Sequence, residues 1–340
     1  MARGLMTGLI LVVAFGLLVA EGEETYDLKL KFKKEEVNHY KLKGAVETDQ
    51  GGMAATQSNE QVLRVETTDV GEDGKASMKM HVLKMVHKAE TMMGKQSFDS
   101  EKGESKGLNE TTEKIFKAVL DSEFTFKIAP NGEMSELKGF GKMAKILKEA
   151  GLTEEQAKEF AERDGGQVMS ALNVLPSRPV KIGDRWDHKT KGTGGVMTWE
   201  ATLREVVEEE GHKIGVIALK LKSVEFGGVF KRVMAMWQKM GMKVTDKSEG
   251  KGEARFDITA GRALGVTNKV VITLEIGGGA AGAPAQTVKI DAKSSVELMK
   301  EAPKIVRPEK REQPTPVTPN PREEKVQPKP DEPVKKPDGS

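Results

Sequence analysis

The stretch from Gly252 to Ile276 constrains this chain more than any other. Gly252-Glu253-Ala254-Arg255-Phe256-Asp257-Ile258 runs into Thr259-Ala260-Gly261, and Val266 to Ile276 then alternates apolar and polar residues. Alternation places successive side chains on opposite faces of a strand, so one face is apolar and the other wet. A lone hairpin is marginal in water, so the apolar face must be covered by more sheet or by helices. Phe256 and Ile258 are expected to face that core with Val270, Ile272 and Leu274. Gly261 is expected to take the left-handed turn conformation that side chains disfavour.

The same grammar recurs along the chain. Tyr26, Leu28, Leu30 and Phe32 alternate with charged residues and predict a half-buried strand, followed by another at Val37 to Val46. Asp49 to Glu60 reads as a polar loop. Gln61 to Val70 and Lys75 to Val86 flank Gly71-Glu72-Asp73-Gly74, a hairpin turn signal. Met93 to Glu110 reads as a flexible excursion. Phe124 to Ile128 turns back at Pro130-Asn131-Gly132. In the second part, Met197, Trp199, Ala201 and Leu203 line one strand face, Glu208 to His212 turns the chain, and Ile217, Leu219 and Leu221 face inward. A last strand carries Val288, Ile290, Ala292, Val296 and Leu298.

Helical spacing is confined to a few places. Thr111 to Asp121 puts Ile115, Phe116, Val119 and Leu120 on one side. Met143, Ile146 and Leu147 form a second candidate, and Thr153-Glu154-Glu155-Gln156 is a capping box opening a third. Pro176 and Pro179 end the helical region.

Two strand blocks keep the same order. Phe32 to Gly44, Gly71 to Gly74, Lys75 to Val86, and Phe124 to Ile128 with Gly132 make the first. Gly183-Asp184-Arg185-Trp186, Glu208 to Gly211, Lys213 to Val224, and Ala254 to Ile258 with Gly261 make the second. The expected fold class is therefore α+β: antiparallel, strongly curved sheet, as a partial barrel or sandwich, from two pseudo-repeated halves with a helical segment between them. The expected organisation is a signal peptide at 1–22, a first strand-rich half at 23–137, a helical connection at 138–179, a second half at 180–300, and a disordered Pro-rich tail at 301–340.

The two ends carry the case for export. Arg3 precedes the apolar run Leu9 to Ala20, and Glu21-Gly22-Glu23-Glu24 follows at once, which is the layout of a secretory signal peptide. The run is short for a membrane span, so no transmembrane segment is expected after cleavage. Ten of the 14 prolines lie from Pro303 onward among mixed charges, a composition that cannot bury enough apolar surface to order itself. The chain has no cysteine, so disulfides, thiolate chemistry and Cys-ligated zinc are excluded. A net charge of +2 is too small for a nucleic-acid footprint, and 5% aromatics offers few stacking platforms.

The signal peptide, the alternating first strand, Gly183-Asp184-Arg185-Trp186 after Leu175-Pro176, and the paired Phe-x-Ile hairpins resemble a family of uncharacterised exported bacterial proteins, a domain of unknown function. The resemblance extends over about Tyr26 to Leu298, with Tyr40 where the first half would carry the Trp. It implies an envelope location and no known activity or catalytic residues.

Candidate chemistry is thin. Gly103-Glu104-Ser105-Lys106-Gly107 matches the nucleophile elbow formally, but its flanks are polar and it reads as a loop. Asp184, Asp187 and His188 surround Trp186 and read as a solvated strand start with Trp186 in the core. Gly277 to Gly282 lacks the Lys-Ser/Thr of a phosphate loop and reads as a hairpin connection. Two methionine groups stand out, Met78, Met80 and His81 in one and Met234, Met236, Met240 and Met242 in the other; soft thioethers suit Cu(I), and equally suit core filling. No catalytic residue and no cofactor are expected. The function expected is a non-enzymatic, exported cell-envelope protein, periplasmic or secreted, that binds a ligand or protein partner, such as a hydrophobic or lipid-like molecule held between sheet and helices. A Met-rich Cu(I) chaperone and an unrecognised hydrolase are the alternatives.

Overall fold

Thirteen strands form one open, curled antiparallel sheet in the computed structural model, which describes residues 24–92, 94–154, 157, 174–192, 195–239, 242–277 and 286–304. The strands are β1 (Val37–Gln50), β2 (Met53–Val70), β3 (Ala76–Thr91), β4 (Gly94–Asp99), β5 (Glu104–Lys106), β6 (Glu123–Ile128), β7 (Met134–Lys138), β8 (Arg185–Gly192), β9 (Gly195–Glu209), β10 (His212–Phe226), β11 (Lys243–Asp257), β12 (Arg262–Gly277) and β13 (Gln286–Leu298). Helices α1 (Glu110–Leu120), α2 (Gly141–Glu149) and α3 (Gly228–Lys239) accompany them. The spatial order is β5-β4-β3-β2-β1-β13-β12-β11-β10-β9-β8, with β6 pairing β3 and β7 pairing β6. The last strand thus closes the middle of the sheet by pairing with the first, Tyr40 opposite Leu298 and Val46 opposite Ala292. The expected signal peptide and the tail from residue 305 lie outside the described residues, as do most of the third helix and its capping residues Glu155 and Gln156. No helix among the described residues is long and apolar enough to cross a membrane.

Alternation does what the pattern predicts. Trp199, Ala201 and Leu203 are buried, with Ile217 and Leu219 beside them, and Phe256 and Leu274 are each 1% exposed. A single core collects residues from both parts of the chain, among them Leu63, Val65, Met80 and Phe126 with Trp199, Leu203, Ile217 and Phe256. A smaller cluster at the far end joins Leu274, Ile276 and Val288 to Trp237 and Met242 near α3. Helix α1 is capped by Asn109, whose side chain accepts from the Thr112 N–H at 2.8 Å. All four apolar residues expected on its one side pack against the core, and the Phe116 ring meets Phe98 and His87.

Three expectations change. Asp49 to Glu60 is no loop: β1 runs to Gln50 and β2 starts at Met53, with only Gly51 (φ 60°) and Gly52 (φ 86°) turning the chain. Two adjacent glycines at positive φ suit a two-residue hairpin turn, and polar residues on both sides simply mean that this end of the hairpin is wet on both faces. Met93 to Glu110 likewise holds two short strands, β4 and β5, with the hydroxyl of Ser105 on β5 donating to Glu113 at 2.9 Å. Conversely, Tyr26 to Phe32 is extended without joining the ladder. It bridges Tyr26 to Val180, Leu30 N–H to the Pro130 carbonyl, and Lys31 N–H to the Gly261 carbonyl. Its alternation was set by burial, since Leu28 is 1% exposed, and it ties the turns of both parts together.

Candidate functional site

Two hollows lie over the central strands, the first on the hydrophilic face of the sheet, opposite the core. A hollow of about 840 Å³ sits over the middle of β2, β1, β13, β12 and β11, reaching β3, and takes its walls from Lys43, Glu60, Lys251, Lys269, Lys293 and Ser295 among others. A second, about 1010 Å³, lies over the end of β10 to β13, and is walled by His39, His212, Arg255, Asp257, Arg262 and Glu297 with the segment 299–302. Glu253, Thr267 and Ser295 line both, so the two hollows form one cleft crossing the central strands.

The floor of the cleft follows from small residues. On the core face, Gly44 pairs with Asn59 and Gly252 with Asn268, and Ser294 stands opposite both Gly44 and Asn268. A Cβ on Gly252 would sit 2.2 Å from Asn268 Oδ1 and 2.4 Å from the Thr267 carbonyl oxygen, and one on Gly44 would sit 2.2 Å from Asn59 Oδ1. Glycine in a strand marks such close approaches, and it lets the sheet bend where a side chain would hold it flat. Two residues back along β11, a Cβ on Gly250 would sit 2.9 Å from Leu221 Cβ and 3.2 Å from the Trp199 ring.

At the end of the cleft, Asp257 is 2% exposed and fully engaged. Its Oδ1 accepts from the Ala260 N–H at 2.8 Å, and the Gly261 N–H donates to its carbonyl at 2.7 Å, closing the β11–β12 turn around Gly261 at φ 67°. Its Oδ2 lies 2.8 Å from His212 Nδ1 and 3.7 Å from Arg262 Nε. The latter is ion-pair range only; Arg262 Nε is buried without a hydrogen-bond partner. The neighbouring Thr259 hydroxyl accepts from the Lys213 N–H at 2.9 Å, so the turn is locked to the start of β10. A carboxylate accepts and does not donate, so the proton of this contact sits on His212 Nδ1. The arrangement is a turn built by Asp257, with His212 exposed enough to line the hollow. Acidic residues from separate elements, Glu36, Glu209, Glu210 and Glu297, converge around it.

The residues singled out by sequence are dispersed. Met78 and Met80 are buried in the main core and paired with Phe126 and Phe124, while His81 points to the opposite face, 3.5 Å from Glu123. Met236 on α3 is half-exposed, Met242 packs in the small far cluster, and Met240 lies outside the described residues. Asp184 accepts from the Lys181 N–H and from Arg178, which holds its carboxyl below the usual range, and Asp187 pairs with Lys222 at 3.0 Å. Trp186 is half-buried and donates to the Val174 carbonyl at 2.9 Å. His188 faces the core; its Nε2 is sealed without a partner, and burial pushes its pKa down to about 4. Among the described residues, no group of three or more His, Asp or Glu side chains is arranged to hold a metal. Of the Gly277 to Gly282 connection, only Gly277 is described.

Sequence reasoning missed the cleft and the His212–Asp257 contact. The two residues are 45 apart, and their meeting depends on β10 pairing with β11 in a register that sets Ile214 opposite Asp257. The one signal available was Asp257-x-x-x-Gly261, a turn-building spacing.

Comparison with known proteins gives a family. The sequence matches a family of unknown function, DUF6263, over residues 73–261. This chain belongs to that family. The match runs from the β2–β3 turn to the β11–β12 turn, a narrower span than Tyr26 to Leu298, and leaves β1, β2, β12 and β13 outside it. No curated protein matches the chain. Among solved structures, DynF from the dynemicin biosynthesis pathway of Micromonospora chersina is 8% identical, with 81% of this chain and 85% of that one covered at a TM-score of 0.19. The outer membrane protein OprG from Pseudomonas aeruginosa is 7% identical, covering 79% and 99%, with a TM-score of 0.13. The MucA/MucB complex of the same organism is 10% identical, covering 74% and 88%, with a TM-score of 0.14. Likeness at this level carries no argument about what the DUF6263 chain does.

Proposed function

We propose that this chain is a non-enzymatic, exported protein of the bacterial cell envelope that binds a ligand or partner in the cleft of its sheet. The observation that carries the reading is the cleft itself, two joined hollows of about 840 and 1010 Å³ over the central strands, each of a size that suits a ligand. Export is supported by the Arg3, Leu9 to Ala20, Glu21 layout of the N-terminus. A hydrophobic or lipid-like ligand would use the other face, where Val46, Ile272, Ile290 and Ala292 are only half-buried between the two packed clusters.

The test is native purification of the full chain from envelope extract, with mass spectrometry of what stays bound. Thr267 is exposed where the two hollows join, so Thr267→Trp fills the cleft without touching the core. Wild type is expected to retain a molecule that Thr267→Trp loses. Equal retention by both would end the cleft reading, and retention of a lipid by both would move the site to the apolar face.

A hydrolase is the second reading, favoured by one observation: His212 bears on Asp257 where acidic residues from separate elements converge. It would use His212 as a general base for water. Hydrolytic turnover of a panel of esters, glycosides and peptides that disappears in His212→Gln would establish it, and turnover unchanged by that variant would remove it.

We also read the two parts of the chain as a pseudo-repeat curving into a partial barrel. Its support is pairing order: β1-β2-β3-β6-β7 and β8-β9-β10-β11-β12 each follow chain order, and Gly132 and Gly261 turn the matching last hairpins at φ 84° and 67°.

A further inference from the structure

The hydrophilic face carries one arrangement that the fold itself does not need. Lys220 on β10 stands directly opposite Lys251 on β11, Lys251 opposite Lys269 on β12, and Lys269 opposite Lys293 on β13. The row continues through Ala45 and Ser58 to Lys88 on β3. Directly facing residues share a face about 5 Å apart, so three successive like-charge pairs repel one another. Sheets ordinarily place opposite charges at such positions.

The neighbouring carboxylates do not relieve this. Among the described residues Lys269 alone of the row has one, Asp291 at 3.1 Å. Glu60 is taken up by Lys41 and Lys84, and Glu253 by Arg204 at 3.1 Å. Among the described residues, no carboxylate oxygen comes within 4 Å of Lys43, Lys88, Lys220, Lys251 or Lys293. Five of these lysines, Lys43, Lys88, Lys251, Lys269 and Lys293, line the 840 Å³ hollow.

We propose that this lysine row is the binding site for a soluble linear polyanion bearing phosphate groups, which lies across the strands in the cleft. The proposal rests on the cleft reading above and names the chemistry of its ligand. Lysine binds phosphate as a compact point charge and needs no planar fork to do so, and a run of point charges across the strands suits a chain that carries a phosphate at each link. The row is one residue wide and runs across the strands along the hollow, a line that an extended chain can follow from lysine to lysine and that a broad bilayer surface does not match.

The experiment measures binding of medium-chain inorganic polyphosphate to the purified full chain, with polyglutamate and phosphatidylglycerol vesicles as separate arms. The triple variant Lys251→Gln, Lys269→Gln, Lys293→Gln is compared with a control triple at the exposed Lys33, Lys145 and Lys189. Polyphosphate affinity is expected to fall about tenfold or more in the first and little in the control, with the slope of log affinity on log salt reduced by roughly two. Without ligand, the first triple should melt no lower than wild type, because it removes repulsion. Absence of polyphosphate binding by wild type, equal binding by the first triple, or a lower melting temperature in it would overturn the proposal. Equal affinity for polyglutamate would overturn the phosphate assignment, and vesicle binding lost in the triple would overturn the soluble chain. If Thr267→Trp loses its envelope molecule while the lysine triple keeps it, the polyanion proposal fails and the cleft reading stands. If both keep it, both fall.

Discussion

The two ends of the cleft place charge in opposite ways. At Asp257 a nearly inaccessible carboxylate is surrounded by a backbone N–H, His212 and Arg262, all supplied within one hairpin and the start of the strand beside it. At the lysine row, exposed ammonium groups face each other and, among the described residues, Asp291 is the single carboxylate within ion-pair reach. The first is charge serving the fold: its partners are provided by the chain, so removing it costs stability. The second is charge the chain leaves unsatisfied, so removing it should cost binding and spare the fold. His188, on the core face, sharpens the contrast from the other side, because it is a titratable group whose Nε2 is sealed without a hydrogen-bond partner.

The comparison breaks first at Asp257. Asp257→Ala should destabilise by about 3 kcal/mol, since it strands the Ala260 N–H and leaves Arg262 beside a lost counter-charge. Asp257→Asn keeps the acceptor for Ala260 and should cost clearly less. Urea midpoints for the pair decide it; equal losses would mean that the turn contact, and not the charge, is irrelevant to the site.

Next is pH. Burial holds the folded pKa of His188 near 4 against 6.5, so the folded state resists the proton that the unfolded state accepts. The stability is complete above pH 6.5 and declines as pH falls toward 4, by about 2–3 kcal/mol at about 1.4 kcal/mol per pKa unit. His188→Phe should remove that part of the acid sensitivity, seen as a smaller shift in urea midpoint between pH 7 and pH 4.5. An unchanged shift would place the sensitivity elsewhere.

Glycine tests the floor. Gly252→Ala must push Asn268 aside and also meets the rigid Thr267 carbonyl at 2.4 Å, whereas Gly44→Ala meets only the Asn59 side chain. The first should cost about 1–3 kcal/mol and the second less, on thermal melting. The smallest effect is at the lysines. Lys251→Gln alone relieves two like-charge pairs and should stabilise by roughly 0.2–1 kcal/mol in low salt, fading as salt rises. A loss of stability there would make both ends of the cleft alike.

How legible was this in the sequence? Period-two alternation identified Trp199, Ala201, Leu203, Phe256 and Leu274 as core before any coordinates, because a half-buried strand must alternate whatever it pairs with. It failed at Asp49 to Glu60, where both faces are wet and alternation has nothing to mark. It also misassigned Tyr26 to Phe32, where burial alternates without a ladder. The methionines were read as either ligands or core. Met78 and Met80 fill the core against Phe124 and Phe126, and His81 could never join them, since adjacent strand residues face opposite ways.

Each lysine of the row was visible as a polar residue on a strand, and none was informative alone. Local pattern was enough to say which face of each strand is wet and where glycine turns the chain, because both depend on neighbours two to four residues away. Long-range pairing in the folded chain sets the register that puts Lys220, Lys251, Lys269 and Lys293 in line, the pairing of β1 with β13 that closes the middle of the sheet, and the meeting of His212 with Asp257. Those depend on hydrogen-bonded ladders between residues far apart in the chain, as between Tyr40 and Leu298, and local periodicity says nothing about which strands will find each other.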